Sequence, residues 1–473
     1  MMKTANRVFP LTITVLSPLH IDSGSRLVPD VDAYADGETV YVIDSDVAIE
    51  LVAQRWEDSR KSYDQILRDH AAKLDSEEMA IAEAASRLER RIEQFNAHPP
   101  KQPQAFKKED QRLDEDIARI RERRRWLKEG RTSPPPPPDD TLPDAIVQNS
   151  GLTDLLKTGW LTLDDLRGRV SFNGRPLVRY AMAGRVAATE IYAQIKDVAD
   201  RPYIPGSSLK GAVRSALAWD RAGSLPPSAI QQIGNGPKNA DNDIEREIFN
   251  NGRVGPDRQK LNDTLRDVLR TLHVGDSTPA TVSPELLSVA IFNSSSQRNA
   301  RLAVEAIPEG ATLQATLQVE RYPFESAEAK KVITFGDWQK HLAPEELARA
   351  CRDRARDLIE GERAYFDGFP AAAEILRFYQ RLTAQLDALG PRAFMLPVGW
   401  GAGWRSKTLD SRLRADEEGF ADTVQRFKLK KHKSPTYKPG DRFPDTRKLA
   451  MRGAQPHWPL GWLLVEIGEE KGR

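Results

Sequence analysis

Tyr203-Ile-Pro-Gly-Ser-Ser-Leu-Lys-Gly-Ala-Val-Arg214 is the stretch on which the reading of the fold turns. Gly206 permits a tight backbone that approaches its neighbours closely, and Ser207 or Ser208 can cap the helix that follows. From Ala212 to Trp219 the apolar residues Val213 and Leu217 stand four apart, as on one face of a helix. A loop therefore feeds a helix N-terminus, whose unpaired N–H groups suit a phosphate. Lys210 and Arg214, also four apart and flanking Gly211, add charge to one face. The competing reading is an ordinary capped helix. A phosphate-binding P-loop is excluded, because no Gly-Lys-Ser/Thr follows four residues after a glycine.

Upstream, Leu11-Thr-Ile-Thr-Val-Leu-Ser17 alternates apolar and hydroxyl residues, the pattern of a half-buried strand that stops at Pro18. A second strand, Thr39 to Ile43, follows the turn at Asp36-Gly37, and Asp44 can cap a helix running towards Trp56. From about Leu74 to Leu127 a mixed-charge pattern carries apolar residues at Ile81, Ala85, Leu88, Ile92 and Phe95, then Phe106, Leu113, Ile117, Ile120 and Leu127. This heptad seam, broken by Asn96 to Pro103, predicts two antiparallel helices. Pro134 to Pro138 form a stiff spacer. Downstream, Pro226 to Arg258 reads as a long loop, Ala303–Ile307 and Thr312–Val319 as a hairpin around Pro308-Glu-Gly310, Trp338 to Leu389 as helices broken at Pro344, Gly361 and Pro370, and Leu463 to Ile467 as a last strand.

With 473 residues the chain is long enough for two or three domains. Its single cysteine, Cys351, excludes a disulfide framework and a cysteine zinc cluster, and suits a reducing compartment. No apolar run approaches the roughly 20 residues needed to span a bilayer, and no signal-peptide pattern opens the sequence; the cytoplasm is expected. Seventy basic residues against 69 acidic ones give no global attraction for a polyanion, so a nucleic-acid site must be local.

Two further segments supply local charge. In Val398-Gly-Trp-Gly-Ala-Gly-Trp-Arg-Ser-Lys-Thr408, Gly399, Gly401 and Gly403 let the chain pass close to a ligand. Trp400 and Trp404 offer stacking faces, and Arg405 and Lys407 offer phosphate partners, a combination that suits single-stranded RNA. A turn packing two tryptophans into the core is the alternative. A dinucleotide fingerprint would need a third glycine where Trp404 stands. Between Ala421 and Arg452 ten Lys or Arg, among them Lys430, Lys431 and Arg447, face three Asp, which makes the segment positive by seven. Phe427, His432, Tyr437 and Phe443 are interleaved with them, and three prolines favour irregular structure. A solvated surface loop is the plain alternative.

Several of these segments resemble one family. Leu16-Ser-Pro-Leu-His-Ile-Asp-Ser-Gly24 is similar to its opening strand and turn, with Asp22 where glycine is commoner, and Tyr203 to Arg214 is close to the signature shared by RAMP proteins. Gly399 to Thr408 corresponds to the family's glycine-rich loop. The tail, Phe443-Pro-Asp-Thr-Arg-Lys-Leu449 with Pro459-Leu-Gly-Trp462, is similar to the ending of the fifth Csm protein of type III-A CRISPR complexes. His273 to Ser277 and Arg301 to Val319 also look like family strands, so the resemblance is spread over most of the chain outside about residues 60–149. It implies an α+β fold with a ferredoxin-like (RRM-like) core and large insertions, including the helical hairpin. The expected division is 1–60 with 150–330 as the ferredoxin-like domain, 61–133 as the inserted hairpin, 134–149 as linker and 331–473 as a C-terminal domain.

The implied role is a crRNA-binding subunit without catalytic residue, metal or cofactor. It would hold the 3′ portion of the guide, cap the filament of repeated backbone subunits, and aid guide trimming by shielding or by recruiting a host nuclease. The residues expected on RNA are Gly206, Ser207, Ser208, Lys210, Gly211, Arg214, Gly399, Trp400, Gly401, Gly403, Trp404, Arg405, Lys407, Lys430, Lys431 and Arg447. The alternative is a repeat-processing endoribonuclease, with His20 or His432 as general base, or a RAMP subunit of another type III complex. Metal-dependent cleavage would need Asp22, Asp30, Asp32 and Asp276 to converge. A scaffold role would make the hairpin seam the docking element.

Overall fold

The computed structural model describes residues 6–135, 151–168, 170–186, 188–225, 242–250, 253–254, 263–293, 301–430 and 437–471. Two compact units are present, residues 44–177 and residues 1–43 with 178–473. The boundary expected at 331 does not separate units, because strands on both sides of it share one sheet. Among the described residues no helix is long and apolar enough to cross a membrane.

The smaller unit is built on helix α1 (Ser45–Ala97) and helix α2 (Pro103–Thr132). Asp44 caps α1 by accepting from Val47 N–H at 3.2 Å, as its position before the apolar run requires. The helix then runs unbroken through the boundary expected at residue 60, since no Gly or Pro interrupts residues 45–97. Leu74, Ile81, Leu88 and Leu113 are buried in the seam, and Phe95 meets Phe106 with ring centroids 4.9 Å apart. Cross-helix pairs between Arg91 and Asp116 (2.6 Å) and Arg123 and Glu77 (2.6 Å) fix the antiparallel register. Near its base Asp165 accepts both guanidinium nitrogens of Arg55, at 2.7 and 2.8 Å, and closes a capping box with Thr162. Most of the expected proline spacer lies outside the described residues.

The larger unit contains a five-stranded antiparallel sheet of β1 (Arg7–Val15), β2 (Leu272–Val274), β3 (Thr312–Val319), β4 (Ala393–Pro397) and β5 (Trp462–Ile467), in the order β2-β3-β1-β5-β4. Helix α3 (Gly206–Ala222) lies between β1 and β2 in sequence, and helix α4 (Pro344–Phe366) follows β3. With β5 as the fourth ferredoxin strand, this is the β-α-β-β-α-β arrangement, extended by β4 at one edge. Phe9, Leu11, Ile13 and Val15 of β1 and Leu313, Leu317 and Val319 of β3 point to one face and pack with Leu209, Val213 and Leu217 of α3. Each such side chain contributes roughly 1.5–3 kcal/mol of transfer free energy, against which chain entropy must be set.

A second sheet of nine strands runs Asp22–Leu27, Ile191–Gln194, Arg301–Ala306, Glu285–Asn293, Val178–Ala183, Thr39–Ile43, Ala33–Asp36, with Thr446–Arg452 on Glu285–Asn293 and Gln455–Pro459 beyond it. The hairpin expected around Pro308-Glu-Gly310 does not form: Arg301–Ala306 pairs with Glu285–Asn293 and Ile191–Gln194, whereas β3 pairs with β1 and β2. The turn switches sheets, held by reciprocal backbone bonds between Leu19 and Ile307. Two other expectations change. Asn242–Phe249 is a helix within the expected loop, because Ile244, Ile248 and Phe249 bury one face, and α4 passes through Gly361 unbroken.

Candidate nucleic-acid interface

At the head of α3 neither Ser207 nor Ser208 is the cap. Pro205 holds that position, so both serines lie in the first turn, Ser207 exposed and Ser208 half-buried. The Gly206 N–H donates to Asp276 Oδ1 at 2.7 Å, so the chain's own carboxylate occupies the place expected for a phosphate. Glycine is needed because a Cβ would overlap the carbonyl oxygen of Val274. Arg214 is also committed: it pairs with Asp267 at 2.7 Å and Glu245 at 3.1 Å and lies 4.1 Å from the centroid of the Phe249 ring. Lys210 and Gly211 remain on the surface of α3, Lys210 half-buried with its pKa lowered by burial and Gly211 exposed.

The glycines after β4 serve the protein's own backbone. Gly399 (φ 87°) brings the chain onto the Ser17–Ile21 turn, where Trp400 N–H donates to the His20 carbonyl at 2.9 Å and a Cβ on Gly399 would overlap that oxygen. Gly401 packs on Leu460 with no room for a side chain. Gly403 (φ 82°) has open space where a Cβ would stand and needs glycine only for its positive-φ backbone. His20 is buried; its Nδ1 bonds the Glu305 carbonyl at 2.7 Å, and burial lowers its pKa.

The two tryptophans differ. Trp400 is half-buried, with its edge on His20 (5.6 Å) and a tilted contact to Tyr192 (5.7 Å), and the Lys448 ammonium sits 3.3 Å from its ring centroid. Arg26, paired to Asp22 at 2.9 Å, lies 3.7 Å from the Tyr192 centroid and completes a cation–aromatic ladder. Trp404 donates its indole N–H to Asp410 at 3.0 Å and meets Phe443 edge-on at 5.4 Å. The alternative of a turn packing both tryptophans into the core holds in part: Trp400 packs against the cluster of Val289 and Leu460 and Trp404 against that of Phe420 and Phe443, and each stays half-buried.

Lys448 has its pKa lowered to about 8, first by burial and then by repulsion from Lys407, with Asp22 opposing. Lys407 is exposed, and neither lysine has a salt-bridge carboxylate among the described residues. Neighbouring cations whose nearby carboxylate, Asp22, is already paired with Arg26 suit a phosphate. Sequence reading counted Lys448 in the basic run without selecting it and missed Arg26 and Tyr192. Thr446–Arg452, expected to be irregular, is a strand, and pairing it with Glu285–Asn293 positions Lys448.

Two expected RNA contacts are spent on the fold. Arg447 is buried against Glu362 at 2.6 Å and lies 3.9 Å from the Tyr365 centroid. Arg405 turns inward beside Asp410 (3.4 Å) and across Gly361, where a side chain would collide with its guanidinium. Lys430 sits 3.7 Å from Asp441, and Lys431 and His432 lie outside the described residues. Asp22 and Asp32 bond backbone N–H groups of their own turns, and among the described residues no three His, Cys, Asp or Glu are grouped to hold a metal ion.

The helix-head motif and the glycine-rich loop do meet. Arg214, Ser215 and Ala218 of α3 form one wall, and Trp404, Lys407 and Thr408 the other, of an open cavity of about 470 Å³.

This geometry joins the family comparison, in which the model of the RAMP superfamily matches residues 12–359. The chain belongs to the RAMP superfamily. Solved structures similar in fold to this RAMP protein include a chain of the cryo-EM structure of a Csm–crRNA–target RNA ternary complex of a type III-A CRISPR-Cas system, at 19% identity and TM-score 0.54, with 97% of this chain and 100% of that one covered. The crystal structure of T. onnurineus Csm5 matches at 19% identity and TM-score 0.48, over 96% of this chain and 99% of that one. No curated protein sequence matches the chain.

Proposed function

We propose that this RAMP protein is a non-catalytic, crRNA-binding subunit of a type III-A (Csm) effector complex. It caps the 3′ end of the guide beside the repeated backbone subunit and contributes to crRNA maturation and antiviral defence, by shielding the guide or by recruiting a host nuclease for trimming. The observation that carries the reading is Lys448 over the half-buried Trp400 with Lys407 nearby, neither lysine in a salt bridge among the described residues. Anionic ribose-phosphate satisfies both cations, and aromatic surface beside it suits bases. Ser207, Lys210 and Gly211 on the surface of α3 offer further contacts, whereas Gly206, Arg214, Gly399, Gly401, Arg405 and Arg447 act by shaping the surface. Family membership and the fold shared with a chain of a crRNA-containing complex support the same reading.

Burial of His20, with Nδ1 on the Glu305 carbonyl, weighs against it as the base of the endoribonuclease alternative. The tagged chain recovered from its host is expected to carry mature guide RNA and backbone subunits. Recovery without RNA overturns the proposal. So do discrete products from precursor guide RNA that vanish in His432→Ala.

A further inference from the structure

An open cavity lies between α3 and the segment after the glycine-rich loop. Its volume of about 470 Å³ falls in the range of sites that take up small organic ligands, and its lining is largely apolar. Its walls include Phe249, Trp404, Phe427, Ile248 and Leu413. Arg214 and Glu245 in the lining neutralise each other at 3.1 Å, which leaves Lys407 as its uncompensated charge among the described residues. Ser215, Thr408 and Thr423 also line it. Each donates its hydroxyl proton to a carbonyl of its own helical turn (Gly211, Trp404 and Gly419, at 3.1, 3.0 and 2.9 Å), so each keeps an oxygen lone pair to offer a ligand N–H.

We infer that this cavity receives one unstacked base of the bound single-stranded RNA, with Lys407 on the adjoining phosphate. The inference rests on the RNA-binding reading above. A base matches the site in three respects: a flat aromatic body for the half-buried Trp404 and Phe427, an N–H edge for the hydroxyl acceptors, and a phosphate within reach of a cation. Lys407 belongs to both the cavity lining and the pair with Lys448, so a strand bound along that pair passes the cavity mouth.

The test is an abasic scan: full-length protein is titrated with single-stranded RNAs that each lack one base at successive positions. One position is expected to cost about tenfold in affinity, the worth of one base–aromatic contact. In Ser215→Phe, which fills the cavity from α3, that position-specific loss should disappear, and intact RNA should bind as abasic RNA binds the wild type. Ala218→Phe repeats the filling one turn on, should Ser215→Phe melt early. Tolerance of every abasic position, with Lys407→Gln still weakening binding, overturns the inference and leaves the RNA reading standing. A position-specific loss that survives both filling variants also overturns it, by placing the base elsewhere. Failure of the wild-type protein to bind any RNA overturns both.

Discussion

Replacing Lys407 and Lys448 together with glutamine tests the interface most directly, because the structure fixes how large the effect should be. Each phosphate neutralised on a single strand adds about 0.7 to the slope of log affinity against log salt, so the double variant should lose about 1.4 of slope. Between 50 and 200 mM salt, this narrows the affinity gap between wild type and variant by about sevenfold. Lys448 adds a pH signature. Its pKa is lowered to about 8 in the free protein, so it is charged at neutral pH and loses its proton as pH rises through 8. If only the ammonium form holds the phosphate, affinity falls by up to about tenfold between pH 7 and pH 9. Lys448→Arg, which stays charged, should remove that fall while keeping the salt slope. Fluorescence anisotropy with a labelled single-stranded RNA across five salt concentrations and three pH values measures all of this. A slope unchanged in the double variant, or a wild-type affinity flat from pH 7 to 9, would refute the assignment of phosphate to this pair.

Three further outcomes follow from named contacts. Asp165 has its pKa lowered to about 2 by Arg55 and Thr162, so its stabilisation is present above about pH 4 and lost as pH falls through 2. Asp165→Asn should therefore cost about 2 kcal/mol at pH 6 in urea unfolding, with the gap to wild type closing towards pH 2. Gly399→Ala should destabilise more than Gly403→Ala: both force a positive-φ extended backbone that costs about 1–3 kcal/mol, but only residue 399 also collides with the His20 carbonyl. Paired melting curves decide this, and equal losses would show that the close approach to His20 carries no cost. Deleting residues Leu74 to Leu127, whose ends adjoin because Leu74 packs on Gly130, should leave guide binding intact. Loss of the chain from its assembly on that deletion would mark the hairpin as a docking element.

What the sequence made legible was local. Alternation in Leu11–Val15 announced β1, the position of Asp44 announced the cap of α1, and the spacing of Ile81, Leu88 and Phe95 announced the helical hairpin. Each depends on residues a few positions apart. Ala303–Ile307 and Thr312–Val319 were legible as strands, yet their partners were not, because a short turn can equally join a hairpin or pass between sheets. The charge run from Ala421 to Arg452 misled for a related reason. A count of lysines and arginines cannot see that Glu362, 85 positions before Arg447, buries that charge, or that strand pairing places Lys448 over Trp400.

The glycine-rich segments carry a wider consequence. Gly206 and Gly399 invite reading as places where a ligand approaches the backbone, but in both the approaching group is the chain's own carbonyl, of Val274 and of His20. These close approaches fix α3 against β2 and the loop after β4 against the turn after β1, and thereby set the two walls of the cavity. On the proposed reading, signature residues of this kind would act on RNA at one remove, by placing the surfaces on which Lys407 and Lys448 would meet the strand. Substitutions at Gly206 or Gly399 should accordingly lower stability and RNA affinity together, whereas those at Lys407 or Lys448 should lower affinity with the melting temperature unchanged.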